Sequence, residues 1–166
     1  MAVSDTNIIV GKASVTLDDI DVGHTLEPCT VRVEREYLDV ESQQRKGIVK
    51  KVKIMERMYV ATTLGEASIQ ALKAAWDHAV MAAHATTGSF YIGSVDENEH
   101  TLVLVGSAPS SGTRTVTIYR AVSMDAGEIS MAREEATGIP VEFECLKSTS
   151  YVDANSDPLF AQVIDS

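Results

Sequence analysis

Four histidines, two cysteines and a few carboxylate pairs are the residues of this chain that could carry chemistry. Their spacing builds no site. His78 and His84 stand six apart, so on a helix they project from different faces, unlike the i, i+4 pair of a metalloprotease helix. His24 and His100 have no cysteine or carboxylate at ligand spacing, and all four histidines read as surface residues. Val10-Gly11-Lys12-Ala13-Ser14 looks like the end of a phosphate-binding loop. However, the required earlier glycine position holds Thr6, and the residues after Ser14 are strand-like rather than helical. Asp19, Asp21 and Gly23 imitate part of a calcium loop but lack its closing ligands, so a tight turn is the simpler reading. Glu134-Glu135 and Glu142/Glu144 fit solvated faces, and Ser110-Ser111 has no nucleophile-elbow context. Cys29 and Cys145 lie in strand-like patterns and read as buried free thiols, not a disulfide framework. No enzyme, metal or cofactor is expected.

The elements that would position any site are mostly strands. Arg57–Thr63 is an apolar strand leading through Leu64-Gly65 into a helix over about residues 65–85. Ile69, Leu72, Trp76, Val80 and Ala83 share one face of it at spacings of three and four. Thr63-x-x-Glu66 has the form of a capping box at its start. Ile69, Leu72 and Trp76 are therefore the residues expected to pack the helix on a sheet or to anchor it at an interface. Period-two alternation marks Cys29–Glu34, Thr113–Val122 and Ile139–Leu146, with Ile139, Val141, Phe143 and Cys145 facing inward. Pro140 should put the start of that last strand at an edge. Short strands are also expected at Asn7–Val10, Lys12–Leu17, Phe90–Ile92, Thr101–Val105 and Leu159–Ile164, with Asp18–Gly23 as a turn. Ile48–Met55 alternates imperfectly. Between it and Cys29–Glu34, residues 37–47 read as a long polar connection, too long for a tight hairpin turn. About nine short strands and one helix, without a βαβ rhythm, imply an antiparallel β-sandwich or barrel flanked by that helix.

At 166 residues the chain fits a single domain, 1–166, able to bury its own core. Its 14 basic and 24 acidic residues give −10, which opposes tight binding to nucleic acid or anionic membranes. The N-terminus lacks the form of a signal peptide, and no apolar run is long enough to cross a bilayer. A soluble protein made in a cytoplasm is expected.

The order of features supplies the functional expectation. Gly11 and the Asp21-Val-Gly23 turn come first, then the polar connection, then Met58-Tyr-Val-Ala-Thr-Thr-Leu-Gly-Glu66 opening a helix that carries Leu72. Arg114-Thr-Val-Thr-Ile-Tyr-Arg-Ala and Ile139-Pro-Val-Glu-Phe-Glu-Cys-Leu close the chain. Over nearly its whole length this resembles the major tail tube proteins of tailed bacteriophages, whose fold is shared with the tubes of contractile injection systems. The resemblance implies a structural virion protein, made in the host cytoplasm, that self-assembles into stacked hexameric rings and so forms the conduit for DNA ejection. It implies tail partners as well, such as a terminator, a tape measure and, in a contractile tail, a sheath. DNA would pass transiently, with no membrane contact, and a ring of six subunits would carry a charge of about −60. On that reading Asp39, Glu41, Gln43, Arg45 and Lys46 are candidates for contact between successive rings, ordered on assembly. The tube subunit of a bacterial contractile injection or secretion system is the near alternative. A monomeric ligand-binding β-barrel is the alternative of a different class.

Overall fold

A computed structural model describes residues 13–22, 25–42, 45–65, 72–73, 75–76, 98–108, 112–124 and 138–166, with residues 42 and 45–47 as backbone only. Two aspartates set its first hairpin. Asp18 and Asp19 take φ of 48° and 65°, the left-handed pair that a two-residue hairpin loop requires. Aspartate tolerates these angles because its short side chain bonds locally. The loop joins β1 (Ser14–Leu17) to β2 (Ile20–Asp21), with Leu17 opposite Ile20. The turn is thus confined to two residues, because Ile20 already pairs and is buried within the stretch expected to be all turn.

The remaining described strands are β3 (Thr30–Ser42), β4 (Arg45–Leu64), β5 (His100–Ser107), β6 (Thr113–Ser123), β7 (Ile139–Cys145), β8 (Ser148–Val152), β9 (Pro158–Leu159) and β10 (Ala161–Asp165). Eight of the ten form one antiparallel sheet in the order β2-β1-β5-β6-β7-β4-β3, with β10 also on β6, and β8 pairs β9 separately. One side of β6 is shared: β10 lies along residues 114–118 and β7 along 121–123. The ends of this order approach each other. Thr25 bridges Leu64, and the Leu26 N–H donates to the Thr63 carbonyl at 2.8 Å. The sheet thereby curls round one core of Val15, Leu17, Val22, Met58, Val60, Leu64, Leu102, Leu104, Ile118, Ile139, Val141 and Phe143. This is the mainly-β, antiparallel, barrel-like fold that the alternation implies. Ile139, Val141, Phe143 and Cys145 all face inward as expected. Pro140 lies where β7 pairs β4 but has not yet reached β6, so its missing N–H breaks no ladder on that side.

A β-bulge redirects β6. Leu102 faces Ile118 while His100 faces Ala121, so Tyr119 and Arg120 together oppose Thr101. The extra residue shifts the inward phase from Ile118 to Ala121. Arg120, which unbroken alternation places with Val116 and Ile118, is turned outward instead. Its guanidinium takes the Glu99 carboxylate and donates to the Lys147 carbonyl at 2.9 Å.

Other expectations change. His100 is buried, at 2% exposure, not a surface histidine. It faces the core from the start of β5, where the Asp18 carboxylate meets its Nδ1 at 2.7 Å and satisfies it. His24, His78 and His84 lie outside the described residues, as do Asn7–Val10 and Phe90–Ile92. Thr63 belongs to β4, opposite Pro140, and its hydroxyl donates to Glu27 at 2.9 Å, so it is committed away from the expected cap; Glu66 is not described. Of the expected helix, Leu72, Lys73 and Ala75 have helical backbone, and the Trp76 N–H donates to the Leu72 carbonyl at 3.0 Å. The rest of that face, Ile69 included, is outside the described residues.

Candidate assembly interface

The expected polar connection at 37–47 is strand. Antiparallel pairing of β3 with β4 runs from Thr30↔Ala61 out to Ser42↔Arg45, so only Gln43 and Gln44 remain between the strands. The polar composition misled because both faces of this stretch meet solvent, which removes the apolar periodicity that marks a strand. At about 3.3 Å per residue, the 13 residues of β3 span roughly 40 Å.

Pairing between β7 and β4 stops at Met58. Beyond it, from Arg57 to Arg45, β4 has β3 as its only strand partner among the described residues. Every side chain from Thr30 to Glu41 and from Ile48 to Met55 is exposed. The hairpin therefore leaves the body as a two-stranded ribbon, an element that is marginal in water without a third strand or a partner. Among the described residues no strand pairs with either of its outer edges.

Register sorts the ribbon into two unlike faces. Arg35, Tyr37 and Asp39 stand opposite Glu56, Lys53 and Lys51, on the face that continues from the core residues Met58 and Val60. Ion pairs lace this face: Arg35–Glu56 at 2.6 Å, Lys53–Glu56 at 2.8 Å and Lys51–Asp39 at 3.2 Å. Lys53 and Glu56 are three apart and would point oppositely in a regular strand. The register shift at Ile54 puts both on one face. Hydrogen bonds from Lys53, then Arg35, hold the Glu56 carboxyl below its ordinary range.

On the opposite face, Leu38, Val40, Val52 and Met55 form an apolar group near the tip, by the pairs Leu38↔Val52 and Glu36↔Met55 and the neighbouring Val40. These four are between 39% and 55% exposed. Nearer the body the same face becomes polar. Arg32 bonds Glu142 at 3.3 Å and lies over the Tyr59 ring at 4.9 Å. A depression of about 310 Å³ opens here, lined by Glu34, Arg35, Glu36, Met55 and Arg57. Covering an apolar side chain fully is worth about 1.5–3 kcal/mol, so the tip offers several kcal/mol to a partner that fits it.

Of the expected contact residues, Asp39 and Glu41 sit on β3 toward the tip, and Arg45 and Lys46 begin β4; Gln43 is not described. Of the described helix residues, Leu72 packs against the core, and Ala75, absent from the expected face, is fully buried. Trp76 is half-buried. Sequence reasoning missed the Leu38/Val40/Val52/Met55 group because two register shifts on β4 break its alternation. Among the described residues, no cluster of three or more His, Cys, Asp or Glu could hold a metal, and no helix is long and apolar enough to cross a membrane. Cys29 and Cys145 are free; burial pushes the Cys145 thiol up to about 12.

No protein-family model matches the chain, and no curated protein sequence does. Among solved structures, a chain of the anti-feeding prophage baseplate, determined by electron cryo-microscopy with six-fold symmetrisation, superposes at a TM-score of 0.49 and 10% identity. The match covers 99% of this chain and 96% of that one.

Proposed function

We propose that this chain is a structural, non-enzymatic subunit of a phage tail or tail-like injection particle, and that copies of it assemble into stacked six-membered rings forming a tube. The β3–β4 ribbon carries this reading. A two-stranded element with open edges and an apolar group at its tip is poorly suited to life alone in water, and assembly covers it. The order of sequence features, which resembles major tail tube proteins, supplies the ring, the tube and the passage of DNA. The net charge of −10 is compatible with a conduit that does not grip DNA.

Electron microscopy of the purified protein at rising concentration tests the proposal, with a variant lacking Val40–Lys46 as the comparison. Rings and tubes with a central channel are expected from the full chain. The shortened chain should be a folded, unassembled subunit, since the deletion removes only the ribbon tip. A full-length protein that stays monomeric, or normal tubes from the shortened one, would count against the assignment.

A further inference from the structure

The charge of this protein is divided by element. Residues 45–57 of β4 contain six basic residues, Arg45, Lys46, Lys50, Lys51, Lys53 and Arg57, against the single acid Glu56. With β3 included, residues 30–57 hold eight basic and five acidic residues, a net charge of +3 in a chain whose net charge is −10, so the ribbon is a weakly cationic arm on an anionic body. The opposite composition occurs at the C-terminal segment. Residues 148–166 contain Asp153, Asp157 and Asp165 and no Lys or Arg.

That segment also has uncovered apolar surface and an open edge. Tyr151, Val152, Val163 and Ile164 are between 46% and 60% exposed. β10 pairs β6 on one side and has no strand on the other among the described residues. Tyr151 is held by stacking on Tyr119, with ring centroids 3.9 Å apart and planes at 4°. The Asp153 carboxylate fixes the β8–β9 turn by accepting the N–H groups of Asn155 and Asp157 at 2.8 and 2.9 Å. Asp165 is paired with Arg114 at 2.6 Å, which leaves Asp157 as the acid with least committed charge. The surface is therefore preformed.

We infer that the ribbon of one copy docks on the β8–β10 surface of a second copy, with Leu38, Val40, Val52 and Met55 against Tyr151 and Ile164, which share the side of the sheet that carries Tyr119 and Gln162, and with Lys50, on the ribbon's apolar face, toward Asp157. Complementary charge steers and orients such a contact, while the apolar group supplies most of its affinity. Arm and receptor are different surfaces, so the contact is heterologous. It leaves one free arm and one free receptor at the ends of any chain of copies, and propagates until it closes into a ring or extends as a filament. The inference rests on the self-assembly proposed above and adds where the ribbon lands.

Charge reversal with rescue tests it, reading the concentration at which the protein assembles by sedimentation. Lys50→Glu alters the arm, and Asp157→Lys alters the receptor while keeping the backbone N–H and carbonyl that Asp157 gives to the Asp153 turn. Each alone should raise the assembly concentration about five- to tenfold, and the two combined in one chain should return it to within about twofold of the original. Raising salt should weaken the original protein and have less effect on either single variant. A photo-crosslinker at Leu38 should label residues 148–166 of a second copy. If the original protein assembles while Asp157→Lys is silent, or if the label falls elsewhere or on nucleic acid, this docking is wrong and the assembly reading survives. An original protein that never assembles overturns both.

Discussion

Arg120 holds Glu99 in a two-point fork, Nε to Oε2 at 2.7 Å with Nη2 on the other carboxylate oxygen, from a position that unbroken alternation would turn inward. The bulge at Tyr119–Arg120 makes the fork possible. Nη1 reaches the Lys147 carbonyl, and the Leu146 N–H returns to the Arg120 carbonyl at 2.8 Å, so one side chain joins the start of β5 to the β7–β8 junction. Both partners are more than a third exposed, which screens the charge pair. Arg120→Ala should lower stability modestly, through the lost hydrogen bonds to Glu99 and the Lys147 carbonyl, both of which water can partly replace. Arg120→Lys should recover less than half of that, because an ammonium cannot reproduce the fork. Urea unfolding of both variants checks the ranking.

Asp18 and Asp19 share a backbone conformation and differ in use. Asp18 accepts from the Thr101 N–H at 2.8 Å as well as meeting His100; Asp19 is an exposed residue with left-handed φ. Asp19→Gly should stabilise the protein by about 0.5–1 kcal/mol, since glycine takes this φ without steric cost. Asp18→Gly should destabilise it by about 2 kcal/mol or more, leaving a buried imidazole and a strand N–H short of a partner. Thermal melts of the pair separate turn strain from the buried contact.

Gly138 shows how close the barrel's seam is. A Cβ there would stand 2.6 Å from Thr63 Cγ2 and 3.0 Å from Leu26 Cδ1. Thr63 is β-branched and paired in β4, so it yields little. Gly138→Ala should therefore cost about 1–3 kcal/mol by overpacking, and Gly138→Ala with Thr63→Ser should regain part of it. Denaturant midpoints for the single and double variants measure the coupling.

How legible each strand is in the sequence depends on where water lies. β7 shows every second residue to the core, so Ile139, Val141, Phe143 and Cys145 announce both the strand and its facing. β6 reads correctly as far as Ile118 and fails at Arg120, because a bulge is one added residue with no composition of its own. The ribbon fails more completely. With solvent on both faces, Asp39, Glu41 and Lys51 can sit where a half-buried strand would need apolar residues, and the pattern imitates a loop. Its apolar group is hidden by the register shifts at Ile54 and near Val49. His100 reads wrongly as a surface residue because its partner, Asp18, lies 82 positions away along the chain, a contact that only the sheet order creates.

Glu56 gives the ribbon a pH dependence. Its carboxyl titrates below the ordinary value in the folded chain because Lys53 and Arg35 bond the ionised form. The unfolded chain binds its proton first, so the contribution to stability is fully present above the unfolded value of about 4.3 and fades as pH falls through the lower folded value. Between pH 5 and pH 3 the base of the ribbon should loosen, seen as faster amide hydrogen exchange from Tyr37 to Lys53. Glu56→Gln should show the faster exchange already at pH 7 and lose most of the acid dependence. An unchanged profile in that variant would assign the pH response to the other depressed carboxylates, Glu99, Asp153 or Asp165.

The apolar tip makes the sharpest separation between folding and assembly. Leu38 and Val52 face each other on the ribbon's apolar side, 55% and 39% exposed, and neither belongs to the core. Replacing an exposed residue away from buried partners changes stability by about 0.5 kcal/mol or less, so Leu38→Ser with Val52→Thr should melt within a degree or two of the original protein. If a second copy covers these half-exposed side chains, their loss removes about half of the roughly 1.5–3 kcal/mol that full burial of each is worth, and the assembly concentration should rise about tenfold. A core variant gives the contrast. Phe143→Ala, at 1% exposure, should lower folding stability by about 3–5 kcal/mol, and any effect on assembly should track the unfolded fraction. Sedimentation and calorimetry on the same samples place each variant on one axis or the other. A tip variant that melts early while assembling normally would show the apolar group to be a folding contact and not an interface.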